Sequence, residues 1–280
     1  MQHLISKFSE RSFDLSKSSY PTNLGIDPYK LIEKEIDNMN QSIVENVENK
    51  HPVLSAMAKY YFKSQGKQFR PVTVLLTAKA ASPNAQISNK QIKLAEIIQM
   101  IHTASLVHDD VIDKADTRRG VESINSKYGD KLSVLAGWNL SQTKTNKSFF
   151  FPRFLIKFIF FIIKGDYLLA RASVTLARLE NHEVTELLSN VIAELVEGEF
   201  MQLKAQKSNF DYYLKKTYLK TASLIANATR SAAILAGCQR DVVDNATEYG
   251  KNLGMAFQVR HILIADYIVL QYSQINRNKS

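Results

Sequence analysis

The strongest chemical signal in the sequence is the acidic cluster in HDDVIDKADTRRG, at residues 108–120. Asp109 and Asp113 are four residues apart, so on a helix they project from one face, and Asp110 and Asp116 lie nearby. Two carboxylates with room for water ligands suit Mg²⁺, which keeps several waters and shares the phosphate oxygens of its substrate. Acids at this spacing are often only a solvated helix face. Here they end an almost wholly apolar segment, which favours a metal site.

Cationic residues near these acids indicate that the metal carries a polyphosphate. Arg118 and Arg119 follow the acidic cluster, and a guanidinium group forks onto phosphate oxygens. Lys67 and Arg70 are three residues apart at a predicted helix start, where the free N–H groups and the helix dipole favour an anion. The alternative for Lys67 and Arg70 is ordinary capping of a surface helix.

Two further groups could bind the same anion. His102 lies seven residues before Asp109, two helical turns earlier on the same face, although a histidine held in the core is the commoner outcome. The members of a third basic group are Lys215, Lys216, Lys220 and the adjoining Thr221. This third group is either another phosphate-binding site or a solvated basic helix. No arrangement typical of a catalytic nucleophile accompanies these residues.

The segments that carry these residues are all predicted to be helical. Apolar residues recur at three- and four-residue steps after Pro28, after Pro71 and through most of residues 165–258, where residues 212–237 read as one helix. The stretch at residues 89–116 is apolar on nearly every side, as in a helix at the middle of a bundle. No run alternates apolar and polar residues for long enough to predict a strand. We therefore predict one all-α domain.

The composition fits such a domain. Of the 280 residues, 45% are apolar and 22% are charged, which is enough to bury one large core. The single cysteine, Cys238, excludes a disulfide scaffold and a cysteine-based zinc site. The net charge of +9 is concentrated in two segments, with five cations and no acid in residues 138–164 and a net +2 in residues 259–280. The nearly neutral remainder argues against a nucleic-acid partner.

Two segments bear on membranes and targeting. FFFPRFLIKFIFFII, at residues 149–163, is not predicted to span a membrane, because a span needs about 20 apolar residues. This run has 15 residues and contains Pro152, Arg153 and Lys157. Residues 1–24 lack the apolar core of a secretory signal, and their scattered basic and serine residues favour an organelle presequence. We therefore predict a mitochondrial location, with the cytoplasm as the alternative.

Five motifs occur in an order and at a spacing that resemble those of the trans-polyprenyl diphosphate synthases. They are GKQFRP, IHTASLVHDDVIDKADTRRG, LVEGEFMQL, YLKKTYLKTASLI and YGKNLGMAFQ. The likeness covers residues 25–137 and 165–258. It implies an isoprenoid synthase fold, in which a helical bundle surrounds a central cavity. It also implies a Mg²⁺-dependent prenyltransferase that condenses an allylic diphosphate with isopentenyl diphosphate, giving a long polyprenyl diphosphate for ubiquinone-type biosynthesis.

The resemblance also implies a role for each matching residue. Asp109 and Asp113 would hold Mg²⁺ on the allylic diphosphate. The residues that would bind isopentenyl diphosphate are Lys67, Arg70, His102 and Arg119. Those that would hold the allylic diphosphate are Arg118, Lys220 and Thr221, with Gln258 near a second metal site. Catalysis would depend on Asp109, Asp113, Arg118 and Lys220, because metal and cations stabilise the charge that develops on the leaving diphosphate.

Product length and assembly follow from the same resemblance. Ala104 and Ser105, one helical turn before Asp109, are small where short-chain members of the family have an aromatic residue that closes the cavity. Small residues there imply a long product, although they would also permit close helix packing. Members of the family are dimers or larger, so the resemblance implies a homodimer or a heteromeric synthase complex.

The sequence departs from the family's pattern in two places. Residues 138–164 interrupt a motif that resumes at Gly165, and after Gln258 residues 259–280 replace the family's second aspartate-rich motif and terminal helices. We therefore predict a domain at residues 25–258 with an insertion at 138–164 and an aberrant tail, both arising from retained introns or an incorrect gene model. The loss of acidic ligands predicts weak turnover. The alternatives are a non-catalytic subunit of a heteromeric synthase and a protein that binds anions or membrane surfaces through the basic insertion.

Overall fold

The computed structural model describes residues 27–47, 68–112, 117–118, 121–122, 153–204 and 209–277, with side chains described within 27–47, 68–109, 165–203 and 209–259. The helices of these segments are α1 (Glu33–Val47), α2 (Phe69–Ala81), α3 (Asn89–Ile112), α4 (Arg153–Ala177), α5 (His182–Lys204), α6 (Phe210–Thr217), α7 (Ser223–Leu235) and α8 (Arg240–Arg277). A π-helical turn, Tyr218–Ala222, joins α6 to α7, and strands β1 (Thr117–Arg118) and β2 (Val121–Glu122) form a short hairpin.

Helix α3 lies at the centre of the bundle and packs against α1, α2, α4 and α7. The five residues 94–98 are all fully buried, so neighbouring helices cover more than one side of α3. Ala104 and Val107 continue this buried surface toward the acidic cluster. The prediction of a buried central helix that begins near residue 89 is therefore confirmed.

Helix α7 is the second central element and packs against α2, α3, α5 and α8. Its buried positions are mostly small, including Ala226, Ala228 and Ala232, so the neighbouring helix backbones can approach closely. Because α3 and α7 also contact each other, they form one continuous core, and the predicted all-α bundle is confirmed. None of the described helices combines the length and apolar character needed to cross a bilayer.

The β-hairpin corrects the expectation that the chain contains no strand. Thr117 pairs with Glu122 and Arg118 pairs with Val121, in antiparallel register. A two-residue strand shows no alternation of apolar and polar residues, so hydrophobic periodicity cannot detect it.

Two helices also differ from their predicted extents. Residues 212–237 were expected to form one helix, but the π-helical turn interrupts the α-helical hydrogen bonding within this stretch. Helix α1 begins at Glu33, because Asp27 and Pro28 belong to a preceding turn in which the Asp27 side chain accepts a 3.0 Å hydrogen bond from the Tyr29 N–H. Periodicity identifies such stretches as helical but does not resolve how they begin or change pitch.

Candidate active site

The side-chain ammonium of Lys220 lies at the meeting point of α3, α5 and the π-helical turn. Its Nζ is 2.5 Å from Glu199 Oε1, 3.1 Å from Gln202 Oε1 and 3.6 Å from Asp109 Oδ2. The Lys220 and Glu199 side chains are each 23% exposed and that of Asp109 is 17% exposed, so water reaches the group only partly. The structure thus brings together two residues predicted from sequence, Asp109 and Lys220, which are far apart in the chain.

Two backbone features place Lys220 against α5. The π-helical turn carries Lys220 and Thr221, and such turns are frequent at functional sites because they re-aim a side chain within a helix. Gly198 permits the approach, since a Cβ added at Gly198 would lie 2.9 Å from the Lys220 backbone nitrogen. A larger residue at 198 would push the π-helical turn away from Glu199 and Gln202.

Thr221 connects the same turn to helix α8. The Gln258 Nε2 donates a 2.8 Å hydrogen bond to Thr221 Oγ1, and Thr221 is buried. The resemblance assigned Thr221 to the allylic diphosphate and Gln258 to the neighbourhood of a second metal site, and these two side chains are in direct contact with each other. Because Thr221 directly follows Lys220, this bond brings α8 to the edge of the Lys220 group.

A second polar pair lies earlier along α3. Arg70 Nη1 is 2.7 Å from His102 Nε2. A guanidinium group can only donate, so His102 accepts through Nε2 and carries its proton on Nδ1. His102 precedes Asp109 by two helical turns, which corresponds to about 10 Å along the axis of α3. The pair therefore joins α2 to α3, and Phe69 stacks beside it on Phe257 with ring centroids 5.0 Å apart.

The oxygen atoms around Lys220 fit the ligand preference of Mg²⁺. Carboxylate and amide oxygens of Asp109, Glu199 and Gln202 already surround a cation, the Lys220 ammonium. Among the described residues, no cluster of three or more histidine, cysteine, aspartate or glutamate side chains could hold a metal ion. Of the predicted metal-binding pair, Asp109 and Asp113, only Asp109 lies among the residues whose side chains are described.

The remaining predicted site residues fall into two groups. Lys67, Asp113 and Arg119 lie outside the described residues, and Arg118 is described only as part of β1. Ala104 is fully buried in the core, whereas Ser105 is half-buried and its hydroxyl donates to the His102 carbonyl at 2.9 Å.

The third basic group divides in the structure. Lys215 is exposed and pairs with Glu197 at 2.9 Å, and the Lys216 Nζ lies 5.4 Å above the Tyr213 ring. Neither contact involves a residue of the Lys220 group, and the exposure of Lys215 favours the solvated-helix alternative for that lysine. Glu199 and Gln202 were not singled out as site residues, although both belong to the LVEGEFMQL motif. Their spacing of three places both side chains on one face of a helix, but the sequence does not show that Lys220 lies opposite that face.

The fold is that of isoprenoid-chain synthases of known structure. The chain superposes on a decaprenyl diphosphate synthase from Rhodobacter capsulatus with a TM-score of 0.70 and 27% identity, covering 85% of this chain and 65% of that one. It also superposes on a polyprenyl synthase from Caulobacter crescentus complexed with calcium and isoprenyl diphosphate, with a TM-score of 0.67 and 26% identity, covering 82% of this chain and 62% of that one.

Sequence comparison then gives the family. A polyprenyl synthetase model matches residues 51–146 and 160–269, and the chain belongs to that family. The match is interrupted within the 138–164 segment and continues past Gln258. The five motifs therefore resemble this family because the chain is a member of it.

Curated relatives make long prenyl chains, according to their names. The chain is 45% identical to a decaprenyl-diphosphate synthase of Dictyostelium discoideum, over 84% of this chain and 48% of the relative. It is 36% identical to a probable mitochondrial hexaprenyl pyrophosphate synthase of Yarrowia lipolytica, over 83% of this chain and 61% of the relative. The chain thus spans about half to three fifths of the length of these relatives.

Proposed function

We propose that this chain is a chain-elongating prenyltransferase that condenses an allylic diphosphate with isopentenyl diphosphate to give a long polyprenyl diphosphate, with Mg²⁺ as cofactor. The observation that carries the proposal is the Lys220 ammonium held 3.6 Å from Asp109 at the end of buried helix α3. A carboxylate and a cation side by side suit a metal-bound diphosphate better than either charge alone. The names of the relatives in Dictyostelium and Yarrowia support the same substrate class.

Each described residue has a defined task in this proposal. When bound through Asp109 and Asp113, Mg²⁺ supplies positive charge to the leaving diphosphate. Lys220 donates to a diphosphate oxygen and stabilises the charge that develops there as the allylic C–O bond breaks. Thr221, fixed by Gln258, orients the turn that carries Lys220. The apolar residues of α3 keep water from the prenyl chain.

The Arg70–His102 pair is assigned to isopentenyl diphosphate, together with Lys67 and Arg119. Arg70 contacts His102 through Nη1, and a guanidinium group forks onto phosphate oxygens, so we assign Arg70 to the second diphosphate. The separation of about 10 Å between His102 and Asp109 along α3 is enough to hold two diphosphates side by side. Arg118, which follows the acidic cluster, is assigned to the allylic diphosphate.

The chain offers a matched pair of lysines for the test. Lys220 lies in the site, while Lys215 is exposed and pairs with Glu197. With purified full-length protein, labelled isopentenyl diphosphate, farnesyl diphosphate and MgCl₂, we expect Lys220→Gln to lower product formation about 100-fold. Lys215→Gln is expected to leave it unchanged. Equal activity of the two variants would refute the proposed site.

Location and assembly are part of the proposal. Relatives in Yarrowia and rice are named as mitochondrial, and residues 1–24 have the composition of a presequence, so we propose a mitochondrial location. A fluorescent reporter fused to residues 1–24 that stays in the cytoplasm would contradict it. We propose a homodimer or a heteromeric complex as the working assembly, which sedimentation of the purified chain with and without a second synthase subunit distinguishes.

A further inference from the structure

The Lys220 ammonium already has a strong anionic partner before any diphosphate binds. Its shortest contact is the 2.5 Å ion pair with Glu199 Oε1, and Gln202 Oε1 accepts a second hydrogen bond at 3.1 Å. An ammonium has three donors, so the third is directed to the side where Asp109 Oδ2 lies, 3.6 Å away. Glu199 is therefore in place to cancel the charge that a phosphate-binding lysine must offer.

The burial of the pair makes this cancellation effective. Both side chains are 23% exposed, so solvent and salt screen the pair less than they screen a surface ion pair. Lys220 and Glu199 form a pair with no net charge, one positive and one negative group. An incoming diphosphate without a metal thus meets a neutralised lysine.

We infer that Glu199 is a positioning residue that neutralises Lys220 in the empty site and thereby makes diphosphate binding conditional on the metal. The inference rests on the proposed function, because it assigns Lys220 to a diphosphate. A divalent cation held by Asp109 would supply positive charge beside this pair, and Lys220 would then donate its third N–H to a phosphate oxygen while Glu199 and Gln202 keep it oriented. A diphosphate alone is held weakly, so the enzyme does not trap metal-free substrate or product.

The change that isolates this role is Glu199→Gln. Glutamine preserves the size of the side chain and an oxygen for Lys220, but it removes the negative charge. The unneutralised Lys220 then attracts an anion directly, and a unit charge at this range in a partly buried site changes affinity about tenfold. We therefore expect Glu199→Gln to raise the affinity for pyrophosphate about tenfold in the absence of metal. With MgCl₂ in excess we expect a much smaller change, because the bound ion dominates the local field.

The experiment measures the binding of inorganic pyrophosphate to the full chain by calorimetry, in EDTA and in excess MgCl₂. Glu197→Gln is the matched control, because Glu197 lies on the same helix and pairs with exposed Lys215 at 2.9 Å. It is expected to leave both affinities unchanged. Glu199→Asp keeps the charge and is expected to restore strong metal dependence, which a merely structural role for residue 199 would not require.

The outcomes separate this inference from the proposed function. If the unchanged protein binds pyrophosphate with Mg²⁺ but Glu199→Gln does not raise metal-free affinity above that of Glu197→Gln, the role of Glu199 is refuted and the site stands. If the unchanged protein shows no Mg²⁺-dependent binding of pyrophosphate, the proposed function and this inference both fail. Circular dichroism of each variant verifies that the helical fold is intact.

Discussion

Ala104 and Ser105 are neighbours on α3 but differ in their surroundings. Ala104 is fully buried in the core, while Ser105 is half-buried and its hydroxyl bonds the His102 carbonyl. Ser105 lies four residues before Asp109, so the two side chains share a face of the helix. Of the two small residues assigned to chain length, Ser105 is therefore the one on the side of the candidate site, and Ala104 contributes to packing.

At Ser105 we expect an aromatic side chain to shorten the product. Ser105→Phe places a ring one turn before Asp109, where it blocks the path of a growing prenyl chain. Chromatography of the dephosphorylated products measures the chain length. Ser173→Phe is the control, since Ser173 is exposed on α4 and its hydroxyl also donates to a backbone carbonyl of its own helix, that of Leu169, at 2.9 Å. An unchanged distribution of products in Ser105→Phe would show that the chain does not pass this position.

At the scale of single residues, charge and spacing in the sequence predicted Asp109 and Lys220 but not the other two members of the group, Glu199 and Gln202. Asp109 stood out because acids end an apolar segment, and Lys220 because it lies in a basic motif. Glu199 and Gln202 belong to a helix with five glutamates, among them Glu197, so charge alone does not distinguish them. Their role depends on the π-helical turn and on Gly198, and neither the pitch of the turn nor a contact between helices is visible in the periodicity.

At the scale of elements, a buried carboxylate ties α1 to α3. The Glu96 side chain is fully buried, and its carboxylate accepts hydrogen bonds from Lys93 Nζ at 2.9 Å and from Asn46 Nδ2 at 3.1 Å. Lys93 also donates to Ser42 Oγ. Burial raises the pKa of the Glu96 carboxyl above its usual range, although the hydrogen bonds offset part of the effect. The folded protein is therefore less stable, relative to the unfolded chain, when Glu96 is ionised than when it is protonated.

We expect the Glu96 carboxyl to make the free energy of unfolding depend on pH, in the direction that its raised pKa sets. Because the folded-state pKa of Glu96 is raised, its contribution to folding is fully present below the usual glutamate pKa and is lost as the pH rises through the raised value. Glu96→Gln does not titrate. The free energy of unfolding of the variant minus that of the unchanged protein should therefore increase between about pH 4 and pH 7. Urea titrations across this range measure it, and a flat or falling difference would contradict the assignment.

Gly165 of α4 lies directly against the His108 side chain of α3. A Cβ added there would lie 2.0 Å from His108 Nε2, and the same imidazole is 3.5 Å from Asp166 Oδ1. His108 directly precedes Asp109, so the packing of α4 fixes the end of α3 that carries the candidate metal ligand.

Gly165→Ala is therefore expected to destabilise the protein by about 1–3 kcal/mol through overpacking. In a His108→Ala background the obstruction is absent, and the same change should stabilise by up to about 1 kcal/mol, because alanine favours a helix more than glycine does. Chemical denaturation of the four proteins in this cycle gives both values. A loss of stability of equal size in both backgrounds would show that the imidazole is not the obstacle.

At the scale of the whole molecule, the 138–164 segment joins the bundle through α4. Helix α4 begins at Arg153, within that segment, and its side chains are described from residue 165 onward. In this later part, which follows the family's motif from Gly165, Leu168, Ala172 and Leu176 are buried in the core. We propose that residues 138–164 are an insertion into a domain at residues 25–258.

Deleting residues 138–164, so that Gly137 joins Gly165, is expected to leave a folded protein with equal or higher stability and higher prenyltransferase activity. The reason is that the deletion removes none of these core side chains. Urea unfolding and the product assay measure both effects. A deletion of the same length at residues 145–171 removes Gly165 and Leu168 and is expected to abolish folding. Failure of both deletions to fold would show that residues 138–164 are part of the domain.

The sequence predicts the helices and the bundle better than it predicts short strands or contacts between separate helices. The mostly apolar stretch from Leu94 to Ile101 indicates a central helix, and the order of the motifs indicates the bundle. The β1–β2 hairpin is too short for periodicity to detect, and the contact of Gln258 with Thr221 joins residues from separate helices. Such contacts depend on how helices cross, which a pattern within one helix does not encode.

The stacked rings of Phe69 and Phe257 have a consequence for synthesis on the ribosome. Phe69 is translated early and adjoins Arg70, whereas Phe257 lies on α8, near the end of the described chain. The stack, like the bond between Thr221 and Gln258, cannot form until α8 has left the exit tunnel. Until then Phe69 and Thr221 of the nascent chain lack these contacts, so this part of the fold is completed only after α8 has been made.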